Sequence, residues 1–276
     1  MPANIKVIGG GKASEAQSRA HIDPSAAIHP TAIIGPECVI GPFAVVGPDV
    51  SLGPRCTVHA HAVLQGPTVL EEENVVHPFA CIGGPPQDLR YRGEETSLHI
   101  GSGNEFREHV TVNRGTEHGG GATIIGDHNL LMAYCHVAHD CKIGNHVVMA
   151  NHATLAGHAV VEDHVVFGGM VAVGTFLRIG ESAMLAAGSM VEREVPPFCI
   201  VAGDRARLRA LNRVGLDRRD IDSEARIQIR AIFRALKERG RPVESIIRTF
   251  ERSQNLSMEA TRMLRFLKEV RRGLTR

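Results

Sequence analysis

The most pointed chemistry in this 276-residue chain lies in one short run, Cys135-His136-Val137-Ala138-His139-Asp140-Cys141. An imidazole followed by a carboxylate, His139 then Asp140, is the pair a general base requires. The carboxylate fixes one ring tautomer and stabilises the ring once it has taken a proton. Further on, Gly157-His158 offers an unobstructed backbone N–H for a developing oxyanion and a further imidazole. With His136 the histidines number three, and three histidines from neighbouring segments are also the donor set of a zinc hydrolase. General-base catalysis, zinc hydrolysis and a purely structural cluster all fit these residue types. Because the chain has 15 histidines, imidazole alone carries little weight.

What would position these groups is a six-residue beat. Every sixth residue from Ile22 to Ile82 is large and apolar, and so is every sixth from Ile125 to Val191. With 43% of the chain apolar, chance does not fill all of these positions. The period matches neither the 3.6 of a helix nor the 2 of a plain strand, but it suits a chain that turns a corner after each short strand. Small residues stand four places on, among them Ala32, Cys38, Ala44, Cys56, Cys135 and Cys141, and suit the narrow interior of a triangular prism. Glycine often follows the large residue, as at Gly35, Gly53 and Gly126, where the corner is expected to need a conformation that a Cβ obstructs. Three hexads make a coil of eighteen residues, and stacked coils lie about 4.8 Å apart. Residues eighteen apart become neighbours, so Gly157 and His158 are placed one coil from His139.

Two polar interruptions break the beat. The stretch Gly83-Gly84-Pro85-Pro86-Gln87-Asp88-Leu89-Arg90-Tyr91 and its continuation leave the phase unchanged and are expected to replace part of one coil, near 83–98. Arg114-Gly115-Thr116-Glu117-His118-Gly119-Gly120-Gly121 shifts the phase by one and predicts a flexible loop near 113–123. Insertions on a rigid scaffold are where binding groups are presented, with a plain spacer as the alternative for each. Past Pro196-Pro197 the beat stops. Ile221, Ala225, Ile229, Ile232 and Leu236 recur at helical spacing, with Asp222 or Ser223 as cap and Gly240-Arg241-Pro242 as stop. Further helices are predicted over 243–252 and 258–271. The expected division is an extension over 1–20, with a half-coil near 5–8, the repeat over 21–203 and a helical domain over 204–276.

A formal charge of +1 excludes a strong general affinity for nucleic acid. Nothing over 1–20 is apolar for long enough to be a signal peptide or a membrane span. Six cysteines without a CxxC, several in the small inward slot, read as packing residues in a reducing cytoplasm. Arg205, Arg207, Arg209, Arg213, Arg218 and Arg219 crowd one stretch that could meet an acidic or phosphorylated partner, a solvated face being the alternative. A prism has a flat outer face to cover, so a homo-oligomer, a homotrimer in this fold class, is expected.

His-Val-Ala-His-Asp-Cys at 136–141 and Asn-His-Ala-Thr-Leu-Ala-Gly-His at 151–158 form an ordered set with Gln-Asp-Leu-Arg-Tyr at 87–91, Asn-Arg-Gly-Thr at 113–116, Phe-Gly-Gly-Met at 167–170 and Gly-Leu-Asp-Arg-Arg at 215–219. Over roughly residues 21 to 276 this set resembles the UDP-N-acetylglucosamine O-acyltransferase family of hexapeptide-repeat acyltransferases. The resemblance implies a mainly β fold, a left-handed parallel β-helix with a C-terminal α-helical domain. It implies transfer of an R-3-hydroxyacyl chain from acyl carrier protein to the 3-position of the glucosamine of a UDP-sugar, opening lipid A biosynthesis. No metal and no cofactor are implied beyond the phosphopantetheine that carries the acyl donor. His139 would be the general base, Asp140 its orienting carboxylate, and Gly157 N–H the oxyanion donor. Gln87, Asp88, His136 and His158 match sugar and acyl contacts, while Asn212, Arg218 and Arg219 match the nucleotide and carrier-protein region.

Several positions depart from the family pattern. Val173-Gly174-Thr175-Phe176 stands where Val-His-Gln-Phe is common, so Gly174 replaces a histidine facing the nucleotide sugar. Arg90 replaces a lysine, keeping charge and changing geometry, and His152 replaces an asparagine. These changes leave open an acceptor with a 3-amino group, which would yield an amide. Ala187 replaces a glycine that leaves room for the end of the acyl chain, which predicts a somewhat shorter chain. A related hexapeptide transferase using coenzyme A and a non-catalytic scaffold are the remaining alternatives.

Overall fold

The computed structural model describes residues 6–7, 19–252 and 255–276. Of the extension expected over 1–20, Lys6–Val7 forms a strand that pairs in parallel with Ile33–Ile34, while its other residues up to 18 lie outside the described residues. From His21 onward, strands mostly two residues long alternate with four-residue corners. In the described residues they assemble three sheets, here called faces I, II and III, of nine, eleven and nine strands.

The pairing is parallel and in strict register. On face III, Val137 pairs with Leu155 and Leu155 with Val173; on face I, Ile143 pairs with Val161 and Val161 with Ile179. These inward residues are at most 3% exposed and form one continuous core down the prism. Between the columns Cys38, Ala44, Cys56, Ala62, Cys135 and Cys141 fill the narrow corners, each at most 1% exposed.

The corners correct one expectation. The left-handed backbone conformation falls on non-glycine residues, three places after the inward one: Tyr134 (φ 65), Asp140 (φ 61), His158 (φ 63) and Phe176 (φ 61) among others. Such a conformation costs about 1–2 kcal/mol per residue and persists here because the coils above and below hold the chain. Glycine instead marks the start of the corner, where the next coil presses on the backbone. A Cβ on Gly35 would lie 2.6 Å from the carbonyl carbon of Gly53, and one on Gly53 would lie 2.7 Å from that of Glu71.

Both interruptions leave the prism at the same edge, between faces III and I. The first does not replace part of a coil. Residues 85–96 are inserted between Cys81–Gly84 and Ser97–Ile100, and Leu70 pairs directly with Ile100, so every face keeps its strand. Losing a strand would leave its neighbours' N–H and C=O groups unpaired, whereas a corner can lengthen without breaking the ladder. The second, 114–121, lies between Thr111–Asn113 and Ala122–Ile125 and contains a short 3₁₀ turn over Glu117–Gly119.

The boundary expected at 203 falls inside a hairpin. Cys199–Ala202 pairs antiparallel with Arg207–Leu211 and extends face II, and helices begin only after it. They are α1 (Arg213–Arg218), α2 (Ser223–Lys237), α3 (Val243–Glu251) and α4 (Met258–Lys268). Asp222 caps α2 by accepting the N–H of Ala225 at 2.8 Å, and Ala225, Ile229, Ile232 and Leu236 bury one face of it. Among the described residues no helix is long and apolar enough to cross a membrane.

If coil-to-coil contact dictates the corner glycines, Gly53→Ala lowers stability by about 1–3 kcal/mol. Gly174→Ala, whose Cβ would find its nearest neighbours at 3.4 Å, leaves it near wild type. Thermal unfolding of the two variants checks the difference, and equal melting temperatures would refute it.

Candidate active site

His139 and Asp140 occupy the III/I corner between the strands His136–Val137 and Lys142–Ile143. His139 Nδ1 lies 2.7 Å from Asp140 Oδ2. An ionised carboxylate only accepts, so Nδ1 carries the hydrogen and Nε2 is left with a free lone pair. The imidazole side chain is 13% exposed and the carboxylate 1%. One coil along, Gly157 faces the ring: a Cβ there would lie 2.6 Å from His139 Cε1 and 2.8 Å from Nε2. The site therefore requires glycine at 157. Among the described residues the Gly157 N–H meets no hydrogen-bond acceptor, which leaves it available to an oxyanion.

The loop 114–121 builds the pocket of Asp140. Thr116 donates twice to the carboxylate, from its N–H to Oδ1 at 2.9 Å and from its hydroxyl to Oδ2 at 2.6 Å. Thr123 Oγ1 accepts the Asp140 N–H at 2.8 Å. Gly119 closes over the group so tightly that a Cβ would overlap the carboxylate, which accounts for one glycine of this loop. Burial works against ionisation of Asp140, yet the bonds from Thr116 and His139 outweigh it and hold its pKa below the usual carboxylate value.

Three further histidines surround the pair. His158, at the next corner in the column, has Nε2 3.8 Å from Asp140 Oδ2 and stacks on Phe176 with centroids 4.2 Å apart. His136, on the outer side of face III, bonds Thr111 Oγ1 through Nδ1 at 2.7 Å. Burial lowers the pKa of both, assisted by the neighbouring imidazoles, and favours their neutral forms. His118, on the glycine-rich loop, has Nε2 3.3 Å from Asp88 Oδ2 and 3.3 Å from Thr116 Oγ1. The two inserted segments are thereby joined over the corner.

Asp88 belongs to the first insertion, where Arg90 grips it through Nε at 3.2 Å and Nη2 at 2.9 Å. The Arg90 bonds, reinforced by His118, depress the Asp88 pKa well below the carboxylate range. Gln87 is exposed beside it, and Leu89 at the tip is 95% exposed. Gly174 lies on the same edge at the start of the Phe176 corner, with its N–H on Val191 O at 3.0 Å.

The other expected site residues lie elsewhere. Asn212, Arg218 and Arg219 belong to a cavity of about 370 Å³ with His146, His164 and Ser182, at the edge between faces I and II. Asn212 is committed to structure: its amide donates to Ser182 O at 2.9 Å and accepts from Gly215 N at 3.0 Å, capping α1. Arg219 pairs with Glu181 at 2.6 Å and bonds Ser182 Oγ, tying α1 to the prism. Arg218 is exposed in the cavity wall with no carboxylate within 4.0 Å among the described residues. Ala187 is exposed on the third edge, between the face II strand Met184–Leu185 and the face III strand Met190–Val191. One chain thus gathers His139, Asp140, Gly157, His158, Asp88, Arg90 and Gly174 on one edge, with His136 and Gln87 beside them, and leaves Asn212, Arg218, Arg219 and Ala187 apart.

The eighteen-residue rule correctly joins His139 to Gly157 and His158. It also places Phe176 on His158. Thr116, Gly119 and His118 carry no such signal, because the insertions interrupt the count.

His139, Asp140 and His158 also bring three potential ligand atoms within 4.8 Å of one another. A metal there would compete with the His139 and Thr116 hydrogens for Asp140 Oδ2, an oxygen already bonded at 2.7 and 2.6 Å. The arrangement suits a proton-accepting imidazole better than a zinc site.

Residues 194–275 match the model of UDP-N-acetylglucosamine O-acyltransferase domain 2, and residues 31–66 and 122–157 match the bacterial transferase hexapeptide repeat. The acyl-(acyl-carrier-protein) UDP-N-acetylglucosamine O-acyltransferase of Halorhodospira halophila is 43% identical over 212 residues, covering 77% of this chain and 82% of its own. That of Syntrophobacter fumaroxidans is 43% identical over 217 residues, 78% of this chain and 84% of its own. Among solved structures, the UDP-N-acetylglucosamine acyltransferase of Campylobacter jejuni superposes with a TM-score of 0.87 at 35% identity, covering 93% of this chain and 99% of that one. The Francisella novicida enzyme gives 0.89 at 29% identity, covering 92% and 94%. The coils are those of a left-handed parallel β-helix with a C-terminal helical domain.

Thr116→Val removes one charge-assisted bond and costs about 1.5–3 kcal/mol. Because the folded pKa of Asp140 is depressed, its contribution is present above the unfolded-state pKa and is lost as pH falls through the folded value. The variant raises that folded value, so acid unfolding begins at higher pH than in wild type. Following unfolding by circular dichroism between pH 7 and 2 checks this, and an unmoved acid limb would exclude the role given to Thr116.

Proposed function

This chain belongs to the family of acyl-carrier-protein-dependent UDP-N-acetylglucosamine O-acyltransferases, and we propose that His139 is its general base. The reaction is the first step of lipid A biosynthesis, in which an R-3-hydroxyacyl chain leaves the thioester of acyl carrier protein for the 3-hydroxyl of the UDP-sugar. A sugar hydroxyl is a poor nucleophile at neutral pH, so a base must take its proton as the oxygen attacks the thioester carbon. His139 Nε2 takes that proton, and Asp140 stabilises the imidazolium through the 2.7 Å bond to Nδ1. The oxyanion of the tetrahedral intermediate meets the free N–H of Gly157. Collapse expels the phosphopantetheine thiolate, which recovers the proton from His139. The single observation that carries this reading is the His139 ring, fixed by a buried carboxylate on one nitrogen and open beside Gly157 on the other.

The separation of the site over two edges supports a homo-oligomer. Arg218 and its cavity lie one face away from His139, so a neighbouring copy is the source of that cation at a complete site. Leu89, almost fully exposed at the tip of the first insertion, is an apolar group suited to such a contact. In a homotrimer the acyl chain would run over the outer side of face III, past the small side chains of Thr154 and Ala172. Ala187 stands at the far edge of that face, about three rungs of ~4.8 Å further along.

For the carrier protein, the helical domain supplies a groove of about 510 Å³ lined by Arg209, Arg213, Arg230 and Arg234 with Phe233. Its charge complements an acidic, phosphopantetheine-bearing partner. Acyl carrier protein as the donor and six free thiols, five of them buried, support a cytoplasmic location.

His139→Ala is expected to lower kcat by about 10²–10⁴ while the melting temperature is kept. Co-expressing His139→Ala with Arg218→Ala should restore up to about a quarter of wild-type turnover if each site draws on two copies. No recovery would place the whole site within one chain, and undiminished turnover by His139→Ala would end the general-base reading. In a carrier series of several acyl lengths, Ala187→Gly should shift preference toward longer chains, each added methylene contact contributing about 0.8 kcal/mol. An unchanged profile would remove Ala187 from the acyl path.

A further inference from the structure

The C-terminal segment is bound to the prism at the catalytic edge by a buried carboxylate. Glu194, 3% exposed, accepts the backbone N–H groups of Arg271 at 2.7 Å and Arg272 at 2.9 Å through one oxygen. Its own N–H and C=O bond Gly273 O at 2.9 Å and Thr275 N at 2.8 Å. Leu274 is buried beside it, and the Arg276 guanidinium caps the carbonyls of Leu236, Glu238 and Arg241. This anchorage fixes where the two preceding arginines emerge.

They emerge above the catalytic column. The Arg272 guanidinium lies over the Phe176 ring, 5.0 Å from its centroid, and Phe176 stacks on His158. A cavity of about 360 Å³ opens there, bounded by His158, Phe176, Arg178, Arg271 and Arg272, with Glu194 and Glu269. Its charges do not cancel. Arg178 is held by Glu269 at 2.6 Å and by Phe266 O at 2.7 Å, and the Glu194 oxygen Oε1 is taken up by the two N–H groups. Arg271 and Arg272 are exposed, and neither side chain has a carboxylate within 4.0 Å among the described residues. The alternative is a pair of solvated arginines. Against it stand the fixed backbone, the ring under Arg272 and the contiguity of the cavity with His158.

We propose that Arg271 and Arg272 bind a substrate phosphate at the mouth of the His139 corner. Guanidinium groups match phosphate oxygens in both charge and geometry. The inference rests on the acyl-transfer reading, which offers two sources of that chemistry: the diphosphate of the nucleotide sugar and the phosphodiester of the carrier's phosphopantetheine. The site would also supply a cation on the edge where Gly174 provides no side chain.

The test uses the full-length Arg271→Ala/Arg272→Ala variant and its glutamine counterpart, which keeps the stems should alanine loosen the tail. Calorimetry compares UDP with uridine and phosphopantetheine with pantetheine, and steady-state kinetics gives KM for each substrate. The expected result is a loss of about tenfold in affinity for one phosphate-bearing probe, with its phosphate-free counterpart unchanged, and a matching rise in KM. Loss for UDP assigns the nucleotide; loss for phosphopantetheine assigns the donor. Unaltered affinity for both phosphates, or equal loss for the phosphate-free probes, overturns the proposal. Wild-type turnover tests the acyl-transfer reading separately: an active enzyme with unchanged phosphate affinities sinks only the inference about these two arginines.

Discussion

Everything functional in this protein depends on the parallel register that stacks Val137 on Leu155 and Leu155 on Val173. Each rung is a two-residue strand, too short to persist alone, and gains its stability from the coils on either side. Once that ladder is closed, a residue's place in the hexad decides its edge or face, and its coil decides its height. The corner residues inherit this precision. Asp140, His158 and Phe176 share one left-handed conformation and one edge because they share one hexad position.

A rigid column of corners also explains how a general base can be assembled from residues adjacent in sequence. Neighbouring side chains on a flexible loop would lose much of their mutual orientation to rotamer freedom. Here the Asp140 backbone is held by Thr123, its carboxylate by Thr116, and the His139 ring by the lack of a side chain at Gly157. The loops that cover the pair add specificity without disturbing the ladder, since both enter at the corner. The left-handed corners cost free energy individually, and the packed core and continuous backbone ladder offset it.

The three edges have different characters although the repeat that builds them is the same. The III/I edge carries the imidazole and carboxylate chemistry. The II/III edge carries a stack of exposed rings from Phe43 through His61, Phe79, His109 and Tyr134 to His152, with centroids 4.7–5.2 Å apart. The I/II edge carries a buried ladder in which Asn129 bonds Asn104 and Asn104 bonds Asn74, all at 2.9–3.0 Å. Such ladders satisfy corner backbone groups from within. They leave the catalytic edge free to use its side chains for chemistry.

By itself the sequence determined the periodic part: the prism, its core columns, the helical tail, and the neighbourhood of His139, Gly157 and His158. These follow from spacing because a parallel coil repeats the same geometry every eighteen residues. The tertiary structure decided what lies off that period. It placed both insertions on one edge, so that Thr116 and His118, with no fixed spacing to Asp140 or Asp88, became their partners. It gave Asn212 and Arg219, which line one cavity with Arg218, the further duties of a helix cap and an ion pair to Glu181. It set Arg218 an edge away from His139, and it brought Arg272 from the end of the chain to the ring of Phe176. The cause is the same in each case: loops and chain ends are positioned by long-range hydrogen bonds and charge pairing, and neither leaves a period in the sequence.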